Sequence, residues 1–301
     1  MMPQDTTVAV LGTGKMGGAI ARRLRAGGFA VTVWDRTRSK AEALQVGPVA
    51  NSPADATRDA DVVVSMVTGP QALREIYFGP AGVFEAAANK TIVDMSTAGR
   101  GIVQQLASAA KLNGARLIEA PVIGSLPAVN SGTLVILAGA AVDEDLQAVR
   151  PVLEQLGEVH EVHDLENAAA LKLVANSMQA IVSAAAAELM AAGTRQGLDP
   201  EQVFWALSRV APGLKVREAG FVRHVHEPTM FAIRDILKDL DLGLALYQPA
   251  HASGLATPLT SLTRQLFARV ASESPDLDIS AIVNAYSAGQ PPVRQHVEVT
   301  S

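Results

Sequence analysis

The 301-residue sequence predicts an α/β chain: an N-terminal doubly wound parallel sheet, a long connecting helix and an all-helical C-terminal half. Three observations carry that prediction. Short Val- and Ile-rich runs alternate with helical patterns from Thr7 to about Val162, the rhythm of βαβ units. A glycine-rich turn directly follows the first run. After Asp164 the strand signals stop and the chain reads as helices.

The expected strands are Val8–Leu11, Ala30–Trp34, Val62–Met66, Thr91–Met95, Arg116–Ala120 and Leu134–Leu137. They are nearly continuously apolar, as strands covered on both faces are. Helical patterns lie between them near residues 15–27, 70–76, 99–112 and 143–156, and His160 and His163 flank a last strand. Residues 166–195 form one Ala-rich pattern of high helix propensity, ended by Gly197, and predict a helix joining two domains, 1–164 and 165–301. Further helices are expected over 200–208, 213–223, 230–253, 258–271 and 278–287. The tail from Gly289, with Pro291-Pro292 and no periodicity, reads as poorly ordered.

Composition narrows the chemistry. Hydrophobic residues make up 49% and charged residues 18%, too apolar for disorder, and the net charge of −5 gives no electrostatic reason to bind nucleic acid or an anionic membrane. The absence of cysteine excludes disulfides, thiolate nucleophiles, iron–sulfur clusters and thiolate zinc sites. Met1–Asp5 lacks a signal-peptide pattern, and the apolar stretch Ala180–Gly193 is short and interrupted by Glu188, so a soluble, cytoplasmic protein is expected. His224, His226 and Glu227 have no further ligands in a recognisable spacing, so no metal site is expected. No GxSxG elbow is present.

The turn after the first strand is Gly12-Thr13-Gly14-Lys15-Met16-Gly17, opening a helix with Ala19, Ile20, Ala21 and Leu24. The glycines allow a tight turn, close approach of a pyrophosphate and close helix–strand packing, while the helix N-terminus favours the anion. The expectation is a Rossmann-type dinucleotide site. After the second strand, Asp35 suits the ribose 2′-OH of NAD, whereas Arg36, Thr37, Arg38 and Lys40 suit the 2′-phosphate of NADP, and Arg36 could also lie flat on the adenine. NADP is the preferred reading, with NAD open.

Lys172 and Asn176 lie four apart on the long helix and so share a face. A desolvated lysine can exchange a proton with a carbonyl or hydroxyl oxygen. The spacing alone equally describes a surface lysine beside a polar neighbour.

Several ordered motifs give the pair a context. GTGKMG resembles the GxGxMG of the β-hydroxyacid dehydrogenases, Asp94-Met95-Ser96-Thr97 their DxST, and Glu119–Ser125 with Ser131–Leu134 their DAPVSGG loop and downstream GTL. Lys172–Asn176 is similar to KLxxN, and Lys238-Asp239-Leu240 to KDL. The resemblance runs from Val8 to about Ala245. It implies Lys172 as acid/base, with Asn176 and Thr97 near substrate and nicotinamide. It also implies substrate contacts from Val122, Ile123, Gly124, Ser125 and Phe231, cofactor contacts from Met66, Val67 and Ser96, and Lys238 closing over the cofactor from the helical domain. Small carbonyl or hydroxyacid substrates and a homodimer follow from the same likeness. Departures are Ile123 for a serine, Ser125 for a glycine, and Ala168-Ala169-Ala170 where a glycine is expected before the lysine. Imine reductases share the plan but generally carry tyrosine or aspartate where Lys172 stands; a cofactor-binding regulatory protein with a dead site is the other alternative.

Overall fold

The computed structural model describes residues 5–247 and 256–286. Strands β1 (Thr7–Leu11), β2 (Ala30–Trp34), β3 (Val62–Ser65), β4 (Thr91–Asp94) and β5 (Arg116–Glu119) are mutually parallel in the order β2-β1-β3-β4-β5. Along β1, Val8 and Val10 join one apolar cluster and Ala9 and Leu11 another, so both faces of the sheet are covered. That explains the unbroken apolar runs. The chain reverses direction across the sheet at β1 and β3, and a doubly wound sheet places ligands beyond the carboxyl ends of its strands at such a switch point.

The sheet is not parallel throughout. After β6 (Val122–Ile123) and helix α6 (Leu126–Ser131), strand β7 (Leu134–Ala140) runs antiparallel to both β5 and β6. Residues 120–133 are taken up by one short strand and one short helix instead of a full crossover helix, so the chain enters β7 from the opposite end. A full crossover returns with α7 (Asp143–Glu154), and β8 (Gly157–Glu161) pairs parallel to β7.

The longer helices of this half are α1 (Lys15–Ala26), α4 (Pro70–Phe78) and α5 (Arg100–Leu112), close to the expected spans. Three short ones lie outside the expected spans: α2 (Arg38–Glu42), α3 (Pro53–Arg58) and α6. The second carries a recognisable start, since Ser52 Oγ accepts the Asp55 N–H and Pro53 opens the helix.

Helix α8 covers Leu165–Arg195, and Asp164 accepts the Asn167 N–H at its start. Its most apolar 18-residue window has mean hydropathy 1.3, enough by length and composition alone to cross a bilayer, contrary to the reading of Ala180–Gly193. Half of that window is buried inside the protein, as in a core helix.

Two compact units emerge. The first holds the described chain through Met178 and the segment beginning at Lys238; the second holds Gln179–Leu237 and the chain from Pro258. Within the second unit, α9 (Pro200–Val210) is capped by Asp199, which accepts the Gln202 N–H. The expected helix 213–223 is a 3-10 turn, Pro212–Arg217, followed by α10 (Glu218–Arg223). Helix α11 covers Ile233–Tyr247, with residues 248–253 of the expected span outside the described residues, as is the tail from Gly289. Helix α12 (Pro258–Ala271) appears as expected, while 278–287 is a 3-10 segment, Ile279–Tyr286.

One buried group in the sheet has a pH consequence. Asp94 and Glu119 are register partners on β4 and β5, and both are fully buried. Asp94 Oδ1 accepts from Ser65 Oγ and the Ser96 N–H, whereas neither Glu119 oxygen has a hydrogen-bond partner among the described residues. Burial first, and then the neighbouring Asp94, push the Glu119 pKa well above the usual carboxylate value. A carboxyl whose folded pKa is raised contributes most at acid pH and loses its contribution as pH rises through that value. Glu119→Gln is therefore expected to stabilise the protein at pH 8 to 9 relative to wild type, by on the order of 1 kcal/mol, and to lose that advantage near pH 4.5. Thermal unfolding of both proteins across this range checks it; parallel profiles would mean that Glu119 titrates normally.

Candidate active site

The glycine turn is built as a phosphate cradle. Gly12 has φ +91°, and a Cβ on Gly17 would fall 1.9 Å from the Gly12 carbonyl oxygen, so no larger residue fits where α1 meets the turn. The N-cap is Gly14, with no side-chain cap and no acidic residue in the first turn. A Cβ on Gly14 would meet no atom within 4 Å. Lys15 and Met16 open α1. This is the arrangement a pyrophosphate requires: a helix N-terminus with its positive dipole end and an open approach at Gly14.

Asp35 braces that cradle. Its Oδ2 accepts the Thr13 N–H at 2.8 Å and the Thr13 hydroxyl at 3.1 Å, and its Oδ1 accepts the Thr37 N–H at 2.8 Å. Both oxygens are thus committed to shaping the turn. Arg36 pairs with Glu75, and Arg38 with Glu42 and Asn51. On the other side of β1, Met66 and Val67 follow β3, and the Val67 N–H is held by Ser96 Oγ at 3.0 Å. Ser96 itself is buried, so it ties the ends of β3 and β4 together.

Lys172 stands at one end of a continuous hydrogen-bonded chain. Lys172 Nζ donates to Asn176 Oδ1 at 2.9 Å, and Asn176 Nδ2 donates to Asp239 Oδ2 at 2.6 Å. Lys238 Nζ donates to Asp239 Oδ1 at 2.6 Å and to the Thr97 carbonyl at 2.9 Å. Partners at both ends fix the Asn176 amide orientation. Burial pushes the Lys172 pKa down to about 8; the Asp239 carboxylate opposes that fall and the Lys238 charge adds to it. A lysine in this range can both give and take a proton near neutrality.

Lys238 and Asp239 belong to the first compact unit, together with Thr97 and Lys172, instead of reaching in from a separate helical domain. Asp239 joins Lys238 to Asn176, and the sequence did not single it out. It stood within the KDL match, but its burial at 2% exposure and its reach to Asn176 are tertiary facts.

After β5, Val122 is buried and Ile123 is 40% exposed, so Ile123 does not pack beneath the loop. Gly124 has φ +133°, and Ser125 is the N-cap of α6. Phe231 lies in the second unit, where Asp278 Oδ2 accepts the N–H groups of Met230 and Phe231 while Oδ1 accepts from the buried Arg217. No cluster of three or more possible metal ligands occurs among the described residues.

Two family models match. One described as the NAD binding domain of 6-phosphogluconate dehydrogenase covers residues 7–169, and one described as NAD-binding of NADP-dependent 3-hydroxyisobutyrate dehydrogenase covers 167–286. A 3-hydroxyisobutyrate dehydrogenase from Pseudomonas aeruginosa is 32% identical, over 93% of this chain and 98% of its own. The chloroplastic glyoxylate/succinic semialdehyde reductase 2 of Arabidopsis thaliana is 30% identical, over 94% and 80%. Among solved structures, the Mycobacterium tuberculosis 3-hydroxyisobutyrate dehydrogenase with L-serine superposes with a TM-score of 0.78 at 26% identity, over 94% and 99% of the two chains.

Proposed function

Because this chain belongs to the β-hydroxyacid dehydrogenase family of NAD(P)-dependent oxidoreductases acting on CH–OH groups, we propose that it interconverts a β-hydroxyacid and its semialdehyde with NADP(H), using Lys172 as acid/base. The observation that carries this reading is the Lys172–Asn176–Asp239 chain in the same compact unit as the glycine cradle.

When bound, the nicotinamide supplies or accepts the hydride. Lys172 donates a proton to the carbonyl oxygen in reduction and removes it from the hydroxyl in oxidation, while Asn176 holds the amine in line. Thr97 stands near the nicotinamide, Met66 and Val67 line the adenosine ribose side, Ser96 and Lys238 contact the cofactor, and Val122–Ser125 receive the substrate. NADP is favoured over NAD because Asp35 is occupied by Thr13 and Thr37, leaving the Arg36 guanidinium, held only by an exposed pair with Glu75, the Thr37 hydroxyl and the rest of the Arg38 fork as donors for a 2′-phosphate. Consumption of NADPH and NADH with glyoxylate, succinic semialdehyde and a bulkier aldehyde tests the reading. Tighter binding of NADH, or no turnover of any carbonyl substrate, overturns it.

Ile123 biases the substrate. Isoleucine cannot donate to a carboxylate as a serine can, and it offers apolar surface instead. Ile123→Ser should shift kcat/KM towards glyoxylate and short semialdehydes by about 1 kcal/mol, the net value of one hydrogen bond. Unchanged substrate ratios in the folded variant would remove Ile123 from the specificity determinants.

The working form is a cytoplasmic homodimer. On α8, the exposed Leu171, Val174 and Met178 lie at i, i+3 and i+7 along one face, an apolar stripe suited to a second copy. Sedimentation at micromolar concentration should give twice the chain mass, and a monomer alone would overturn the assembly.

A further inference from the structure

We propose that Glu75 sets the preference between the two nicotinamide dinucleotides by latching Arg36 across the adenosine half of the cofactor groove. The proposal deepens the NADP reading above and rests on it. In the sheet, β2 and β3 flank β1, so residues following those strands stand on opposite sides of the glycine turn. Arg36 follows β2, and Glu75 lies on α4 after β3. Their ion pair, Nη1 to Oε2 at 3.2 Å, therefore crosses in front of the turn. Glu75 is held in place, because its Oε1 accepts from Gln71 Nε2 at 3.0 Å.

The neighbouring charges explain why this contact matters. Asp35, next in sequence to Arg36, spends its carboxylate on Thr13 and Thr37, and Arg38 is taken by Glu42 and Asn51. Arg36 reaches instead across the groove, to an acid on another element. The pair is open to solvent, with side-chain exposures of 83% and 47%, and such pairs are weak. A 2′-phosphate, with more charge and several acceptor oxygens, can take Arg36 from Glu75. A 2′-hydroxyl cannot. Glu75 thus weakens both cofactors' access to Arg36, but only NADP(H) gains Arg36 in return and so feels the competition.

Fluorescence titration with NADPH and NADH provides the test, using wild type, Glu75→Gln, Arg36→Ala and the double variant. Glu75→Gln retains a partner for Gln71 and removes the charge. It should tighten NADPH about two- to fivefold, the range open to an exposed ion pair, and change NADH less than about twofold. Glu75→Lys should move NADPH further in the same direction. In the Arg36→Ala background Glu75→Gln should have no effect on NADPH, because the competition runs through Arg36.

NADPH binding unchanged or weakened by Glu75→Gln, with Arg36→Ala weakening it as expected, overturns the latch and leaves the cofactor reading standing. An equal gain with and without Arg36 reduces Glu75 to simple repulsion and also overturns the latch. If Arg36→Ala leaves NADPH affinity intact, the assignment of Arg36 to the 2′-phosphate fails, and the latch with it.

Discussion

Lys172→Ala lowers turnover by about 10²- to 10⁴-fold, the usual contribution of a positioned acid or base, while NADPH affinity stays within a few-fold. Binding survives because the cradle of Gly12–Gly17 and the Arg36 turn are formed by other elements. The pH dependence gives a second readout. With a pKa of about 8, Lys172 is largely protonated at pH 7, so carbonyl reduction should be flat in the acid range and fall above about pH 8. Alcohol oxidation needs the neutral amine and should rise through the same range. Steady-state kinetics in both directions check this, and a variant keeping more than roughly a tenth of wild-type turnover would remove Lys172 from the chemistry.

Asp239→Asn should reduce kcat by about 10- to 100-fold, from losing a hydrogen bond to a charged group, and should shift the pH midpoint to lower values. The carboxylate holds the Lys172 pKa up against desolvation, so its removal lets that pKa fall further. Reduction should then begin to fail at a lower pH than in wild type. The substitution keeps the side-chain shape but takes the counter-charge from Lys238, whose ammonium sits between Asp239 and the Thr97 carbonyl. A purely structural role would lower stability and leave the midpoint where it was. Measuring kcat against pH in wild type and variant, with thermal unfolding alongside, separates the two.

What could be read from the sequence tracks the range of the physics. The cradle was legible because its demands are local: a strand, a tight turn, and a helix that must approach closely at Gly17. The five parallel strands were legible because two apolar clusters, one on each face, leave no room for alternation. The reversal of β7 was not, since an apolar run such as Leu134–Leu137 reads the same in either direction and only the connection before it decides. Helices α2, α3 and α6 have five or six residues, too few for a 3.6-residue period to register. Lys172 and Asn176 were placed on one face by spacing, yet their significance lies in Asp239, sixty-three residues from Asn176. Along the sequence Glu119 opens the motif resembling DAPVSGG; its isolation depends on what β4 and β7 set beside it.

The first compact unit is assembled from two stretches of chain, with Gln179–Leu237 made between them. On the ribosome, Lys172 and Asn176 therefore emerge well before Asp239. At about 5–20 residues per second the delay is roughly 3 to 12 s, during which the nascent first half lacks the carboxylate that anchors its amide. A fragment ending at Met178 would carry the whole glycine cradle and Lys172 but neither Lys238 nor Asp239. Biosynthetic order thus completes the Lys172–Asn176–Asp239 chain only after the glycine cradle has been laid down.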